Sequence, residues 1–173
     1  MLRGLGILLL VACASLSKPA AAQTWAEFRP EGIGYSVEMP GEWTLTTQDV
    51  ATAVGTIKVY MATVSAGSRA FMTMYSRYPD EYLRGRPVAP VLDGARDGAV
   101  ANIKGKLRSE EKLVVSDLEA RHIIIDTPQG LVVVDRFFLV QSTMVQALVA
   151  GPSNIENEAD TKRFVGSLKV VPR

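Results

Sequence analysis

His122 is the chain's one histidine and Cys13 its one cysteine, so acid–base and nucleophilic chemistry have few places to begin. Histidine is the side chain whose ordinary pKa suits proton transfer near neutrality. Asp126 and Asp135 are the acids that would orient His122, and Ser116 and Ser142 the hydroxyls that it would activate. A small hydrolase using His122 is therefore the enzymatic reading of the sequence. The competing reading places His122 on a strand opposite Arg136, as a structural residue at the rim of a core.

The remaining constellations are poorer in chemistry. Glu110 and Glu111, with Asp117 and Glu119, bring four acids near one strand turn, but no Asp-x-Asp-x-Asp-Gly loop accompanies them, so they read as solvated charge. Gly94-x-x-x-Gly98 lacks the lysine and hydroxyl residue that a phosphate loop needs. Met61, Met72, Met74 and Met144 recur at period two, which suits strand side chains filling a core. A soft-metal or partner surface is the alternative, with Met39 and Met72 as the pair to meet there. No catalytic residue, cofactor or metal ligand is expected.

One stretch has the composition of a recognition surface. Tyr75-Ser-Arg-Tyr-Pro-Asp-Glu-Tyr-Leu-Arg-Gly-Arg86 holds three tyrosines and three arginines in twelve residues. Both types are enriched where binding energy concentrates, so Tyr78, Tyr82, Arg84 and Arg86 are the candidate partner surface. The opposing reading lays the tyrosines flat on the core and leaves the arginines in water.

What must position these residues begins after an address. Residues 1–22 read as a secretory signal: Arg3, an apolar run through Ile7-Leu-Leu-Leu-Val-Ala12, and the small-residue site Ala20-Ala-Ala22 before Gln23. Leu10-Val-Ala-Cys13 also resembles the lipobox of bacterial lipoproteins, which makes Cys13 a lipidation site in the alternative reading. The chain is expected in the periplasm or secreted, or else held at a membrane through Cys13. No transmembrane helix is expected. Cleavage after Ala22 removes two of the 19 basic residues and none of the 18 acidic ones, leaving a net charge of −1 and no case for nucleic acid. It also removes the only thiol, so no disulfide or thiolate site is expected.

Residues 23–173 suit one α+β domain. Tyr35-Ser-Val-Glu-Met39 alternates apolar and polar, Pro40-Gly41 ends the strand, and Trp43 and Leu45 resume the alternation. Trp43 is expected to be largely buried, and Trp25, nearer the cleaved end, to matter less. Residues 56–65 and 69–78 read as a hairpin about Ala66-Gly67-Ser68, with Ile57, Val59, Met61 and Thr63 on one face. A helix is predicted from Pro90 to Gly105, with Val91, Leu92, Ala95, Ala99 and Ile103 inward, Asp93 and Arg96 outward, and Gly94 and Gly98 allowing close approach to a sheet. Four strands follow, at 111–116, 118–126, 131–140 and 144–150. The turn Thr127-Pro-Gln-Gly130 sets Ile125 opposite Val133 and Ile123 opposite Asp135. Both faces of this sheet are mainly apolar, so each needs a cover. The second cover is a helix after Ser153-Asn-Ile-Glu156, read as a capping box, and Lys169-Val-Val171 adds a last strand.

Two pieces carry a family resemblance. Glu31-Gly-Ile-Gly-Tyr-Ser-Val-Glu-Met-Pro-Gly-Glu-Trp43 resembles the opening element of the PsbP-like superfamily, and Phe164-Val-Gly-Ser-Leu168 is similar to its closing helix. That superfamily includes an extrinsic subunit of the oxygen-evolving photosystem, a Ran-binding nuclear import factor and many exported bacterial proteins. The resemblance implies a meandering antiparallel sheet with helices on its faces, an α/β/α sandwich. It also implies a binding or assembly subunit rather than an enzyme. The histidines and acids that the plant subunit places near metal are not matched, so the resemblance transfers no binding residue. The expected function is thus an exported, non-enzymatic binding or assembly module of the bacterial cell envelope, with an unspecified protein or small molecule as its partner.

Overall fold

The Pro40-Gly41 break divides two sheets. The computed structural model describes residues 24–52 and 55–172; the expected signal segment 1–22, with Cys13, and Gln23 lie outside the described residues. In chain order the elements are β1 (Trp25–Phe28), β2 (Tyr35–Pro40), β3 (Thr44–Thr52), β4 (Gly55–Ala66), β5 (Arg69–Arg77), α1 (Asp80–Leu83), α2 (Val88–Asn102), β6 (Lys106–Val115), β7 (Leu118–Asp126), β8 (Val132–Val140), β9 (Thr143–Gly151), α3 (Ala159–Ser167) and β10 (Lys169–Val170). A seven-stranded antiparallel sheet runs β3-β4-β5-β9-β8-β7-β6, and a three-stranded one runs β1-β2-β10. The expected α+β fold, an antiparallel sheet with helices on its faces, is present, with its strands divided between two sheets: the Gly41 backbone, at φ 121°, turns the chain out of the small sheet and into the large one.

The small sheet and α3 lie on one face of the large sheet. Tyr35, Met39, Phe71, Phe138, Val145 and Phe164 fill the space between them. On the opposite face α2 covers β7 and β8, with Val91 and Leu92 against Ile123, Ile125 and Phe137. The expected register holds: Ile125 faces Val133 and Ile123 faces Asp135. It follows from the Thr127–Gly130 turn, which is closed by the Thr127 N–H donating to Leu131 O (2.9 Å) and the Gly130 N–H to Thr127 O (3.0 Å).

Several local expectations are corrected. β3 is a full strand of nine residues, where the sequence showed only Trp43 and Leu45 resuming an alternation. Asp93 and Arg96 do not face water but reach the sheet through ion pairs with Arg121 and Glu110. A Cβ at Gly94 or Gly98 would meet nothing within 4 Å, so neither glycine serves close packing. Gly105 does, since a Cβ there would come 2.5 Å from Ile125 Cγ2 and 2.9 Å from Asp126 O. The Ser153–Glu156 spacing forms no capping box. It makes a 3-10 turn at Ile155–Asn157 entered through Asn154 at φ 79°, and α3 begins only at Ala159. Trp43 and Trp25 are both half-buried: Trp43 packs edge-on against Phe28 and Trp25 against Phe71.

Candidate functional site

The loop after β5 is anchored before it is exposed. The Tyr78 N–H donates to Ser142 O in the β8–β9 turn (2.8 Å), and Pro79 starts α1, where its carbonyl accepts the Tyr82 N–H (3.0 Å). Gly85, at φ 72°, turns the chain back toward α2. The rings of Tyr78 and Tyr82 lie 5.9 Å apart and tilted by 34°, half-buried beside the core under α2. Burial, reinforced by Tyr82, pushes the Tyr78 hydroxyl pKa above its ordinary value. The Arg86 guanidinium sits 4.5 Å above the Tyr82 ring, and Arg84 and Arg86 are exposed. Beside them an open hollow of about 460 Å³ is lined by Arg77, Asp80, Leu83, Arg84, Gln141 and Ser142. Arg77 pairs with Asp80 at 3.1 Å, leaving Arg84 as the hollow's uncompensated charge among these lining residues. Tyr78, Tyr82 and Arg86 thus come together as a tyrosine base carrying a guanidinium, while Arg84 lines the neighbouring hollow. Such a shelf can dock carboxylates by charge-assisted hydrogen bonds.

His122 lies on the other face of the sheet. Its cross-strand neighbours are Arg136 on β8 and Glu111 on β6. Burial, and then the Arg136 charge, lower its pKa below the ordinary value, so its neutral form is favoured. Asp135 points to the opposite face, toward α2. Asp126 lies four residues along β7, about 13 Å away at strand rise, and is held by Arg108. Ser116 and Ser142 sit in turns at the far end of the sheet, beyond Leu118, itself about 13 Å from His122 along β7. The Ser116 hydroxyl accepts the Val170 N–H. The structure therefore assembles none of these acids or hydroxyls with the histidine into a relay.

Two ionisable side chains, Arg121 and Asp135, are buried on the α2 face, a burial the sequence did not disclose. Arg121 is 1% exposed; its Nη2 donates to Asp93 Oδ1 (2.9 Å), and its Nε lies 3.2 Å from Glu110 Oε1. Glu110 in turn accepts from Arg96 (2.7 Å), so one network ties α2 to β6 and β7. The hydrogen bond from Arg121 holds the Asp93 carboxyl below its ordinary pKa. Asp135 is the contrary case. It is 1% exposed, its Oδ1 has no hydrogen-bond partner among the described residues, and burial pushes its pKa up to about 8. A charged residue inside Val132-Val-Val-Asp-Arg-Phe-Phe-Leu-Val140 was the available signal.

The other expected groupings separate. Glu110 joins the buried network while Glu111, Asp117 and Glu119 stay exposed, and no group of three metal-ligating His, Cys, Asp or Glu residues occurs among the described residues. Met39 is in the core beneath the small sheet, on the face opposite Met72, so these two do not meet. Met61 and Met74 face each other across β4 and β5, half-buried, with Met72 on the same face. α2 leaves that part of the sheet uncovered.

No family model and no curated protein matches the chain. Among solved structures it is similar to cyanobacterial PsbP (CyanoP) from Synechocystis sp. PCC 6803, with a TM-score of 0.57 at 10% identity, covering 93% of this chain and 98% of that one. A Pseudomonas aeruginosa protein of unknown function also aligns, with a TM-score of 0.41 at 13% identity over 77% of this chain and 86% of that one. No helix among the described residues is long and apolar enough to cross a membrane.

Proposed function

The chain has a PsbP-like fold, and from that premise we propose that it is an exported, non-enzymatic binding or assembly module of the bacterial cell envelope. The observation that carries this reading is the α1 shelf, with Arg86 stacked on Tyr82 and Tyr82 against Tyr78. Stacking fixes the guanidinium before a partner arrives, which lowers the ordering cost of binding. Tyrosine and arginine on a preformed base are the residues that concentrate binding energy in protein interfaces. Two exposed guanidinium groups select a partner that presents carboxylates.

The test is capture from an envelope fraction with residues 23–173 as bait, comparing the wild type with the double variant Arg84→Glu, Arg86→Glu. Loss of a captured protein at an unchanged melting temperature supports the shelf. Capture that survives the charge reversal removes it. His122→Ala decides against the hydrolase reading if every activity of the chain persists. The export part of the proposal rests on the leader alone. Intact mass of the protein recovered from cells is expected to place Gln23 first, and a lipidated species beginning at Cys13 would replace secretion with membrane anchoring.

A further inference from the structure

The two edges of the seven-stranded sheet are built differently. β6, at one end, carries Lys106, Arg108, Glu110, Glu111 and Lys112, and its pairing with β7 slips between Leu107 and Ser109. Charge and a bulge are the usual means by which an edge is kept from pairing with another chain. β3, at the other end, has no bulge and a single charge. It pairs with β4 in unbroken register from Thr44 opposite Thr63 to Thr52 opposite Gly55, its residues 44–49 are all exposed, and its one charge is Asp49. Among the described residues no strand pairs with the outer edge of Leu45–Ala51. Leu45, on this edge, is 66% exposed.

We propose that β3 docks antiparallel against β3 of a second copy of this chain, about a twofold axis through Gln48. Such an axis keeps corresponding faces of the two sheets together. Side chains opposite one another must then share a face, so the pairing is centred on a residue rather than between two. Gln48 is the middle residue of the strand and gives the greatest overlap. In that register Leu45 meets Ala51 of the second copy, Thr46 meets Val50, and Thr47 places its hydroxyl beside the Asp49 carboxylate. No like charges face each other. Moving the axis by one residue to Asp49 would set two carboxylates directly opposite, which is destabilising, so charge favours the Gln48 axis. The second copy would also cover Leu45 at the rim of an open groove of about 230 Å³, whose floor includes Tyr60 and Tyr75.

The test is the mass of residues 23–173 in solution, by light scattering across a concentration series to about 100 μM, where a dimer of micromolar affinity is nearly complete. Wild type is expected to move toward twice the monomer mass. Gln48→Lys and Gln48→Glu, each placing like charges at the axis, are expected to stay monomeric, and an equimolar mixture of the two is expected to associate again. Gln48 is exposed, so in protein dilute enough for the wild type to be monomeric both variants should melt with it. A wild type that stays monomeric throughout overturns the proposal. So does a Gln48→Lys variant that associates like the wild type, or a mixture that does not associate.

Discussion

The half of the large sheet made by β6 to β9 and the half made by β3 to β5 come from similar runs of β-branched and apolar residues, yet they are finished differently. In the first, β7 and β8 are covered by α2 on one face and β8 and β9 by α3 on the other, and Arg121 and Asp135 are buried. In the second, among the described residues, no helix packs on the face opposite the small sheet, where Met61, Met72 and Met74 are half-buried and β3 lies at the edge. Where both faces are covered, every polar group must be matched or its desolvation is lost. Where one face is open, polar and apolar groups alike are inexpensive to change, and the surface is left for contact with other molecules. Stability should therefore reside in the covered half.

The largest effect is expected where a buried charge loses its partners. Asp93→Ala combined with Glu110→Ala leaves the Arg121 guanidinium unpaired beneath α2, and should cost roughly 3–5 kcal/mol in denaturant unfolding. A loss below about 1 kcal/mol would break the comparison, because it would mean that water reaches Arg121.

Next comes Asp135, with the opposite sign. Its folded pKa, about 8, lies above the ordinary value of 3.8, so the folded state holds this proton more tightly than the unfolded chain does. Stability from this group is greatest below the ordinary value and falls as pH rises toward about 8, by up to about 1.4 kcal/mol per unit. Asp135→Asn cannot ionise. It should raise stability at pH 7 by about 2–3 kcal/mol and flatten the profile between about pH 4 and 8. Unfolding free energies of both proteins across that range check the prediction, and parallel profiles would contradict it.

The two tryptophans sharpen the comparison at the small sheet. Both are half-buried, with Trp25 against Phe71 and beneath the Arg163 guanidinium at 4.3 Å, so each alanine substitution should cost about 2 kcal/mol. Losing Trp25 should be no milder than losing Trp43, as thermal melts of the two variants will show. The smallest change belongs to the open face: Met61→Leu with Met74→Leu should shift stability by less than about 0.5 kcal/mol.

The same division explains what the sequence disclosed. The β7–β8 pairing was legible because Thr127-Pro-Gln-Gly130 fixes register locally, and the two apolar faces of those strands announced two covers. β3 was not, since Thr44-Leu-Thr-Thr-Gln-Asp49 has no buried face to impose an alternation. The direction of Asp93 and Arg96 was missed because the apolar stripe of a helix tells which side meets a sheet, not that a buried arginine waits there. Gly94 and Gly98 misled for a related reason, as glycine in a helix can face open water. At the candidate site, Tyr78, Tyr82, Arg84 and Arg86 were selected on composition alone. The stacking of Arg86 on Tyr82 and of Tyr82 against Tyr78 depends on Gly85 and on the anchoring of Tyr78 to Ser142, which no local pattern shows.

Amide hydrogen exchange, resolved by segment on dilute protein, compares the two halves most directly. Amides of β7, β8 and β9 should exchange only through global unfolding, while those on the outer edge of β3 should exchange at least about a thousand-fold faster through local opening. Equal protection of β3 and β8 in dilute protein would contradict the division between a covered half that holds the fold and an open half left for contact.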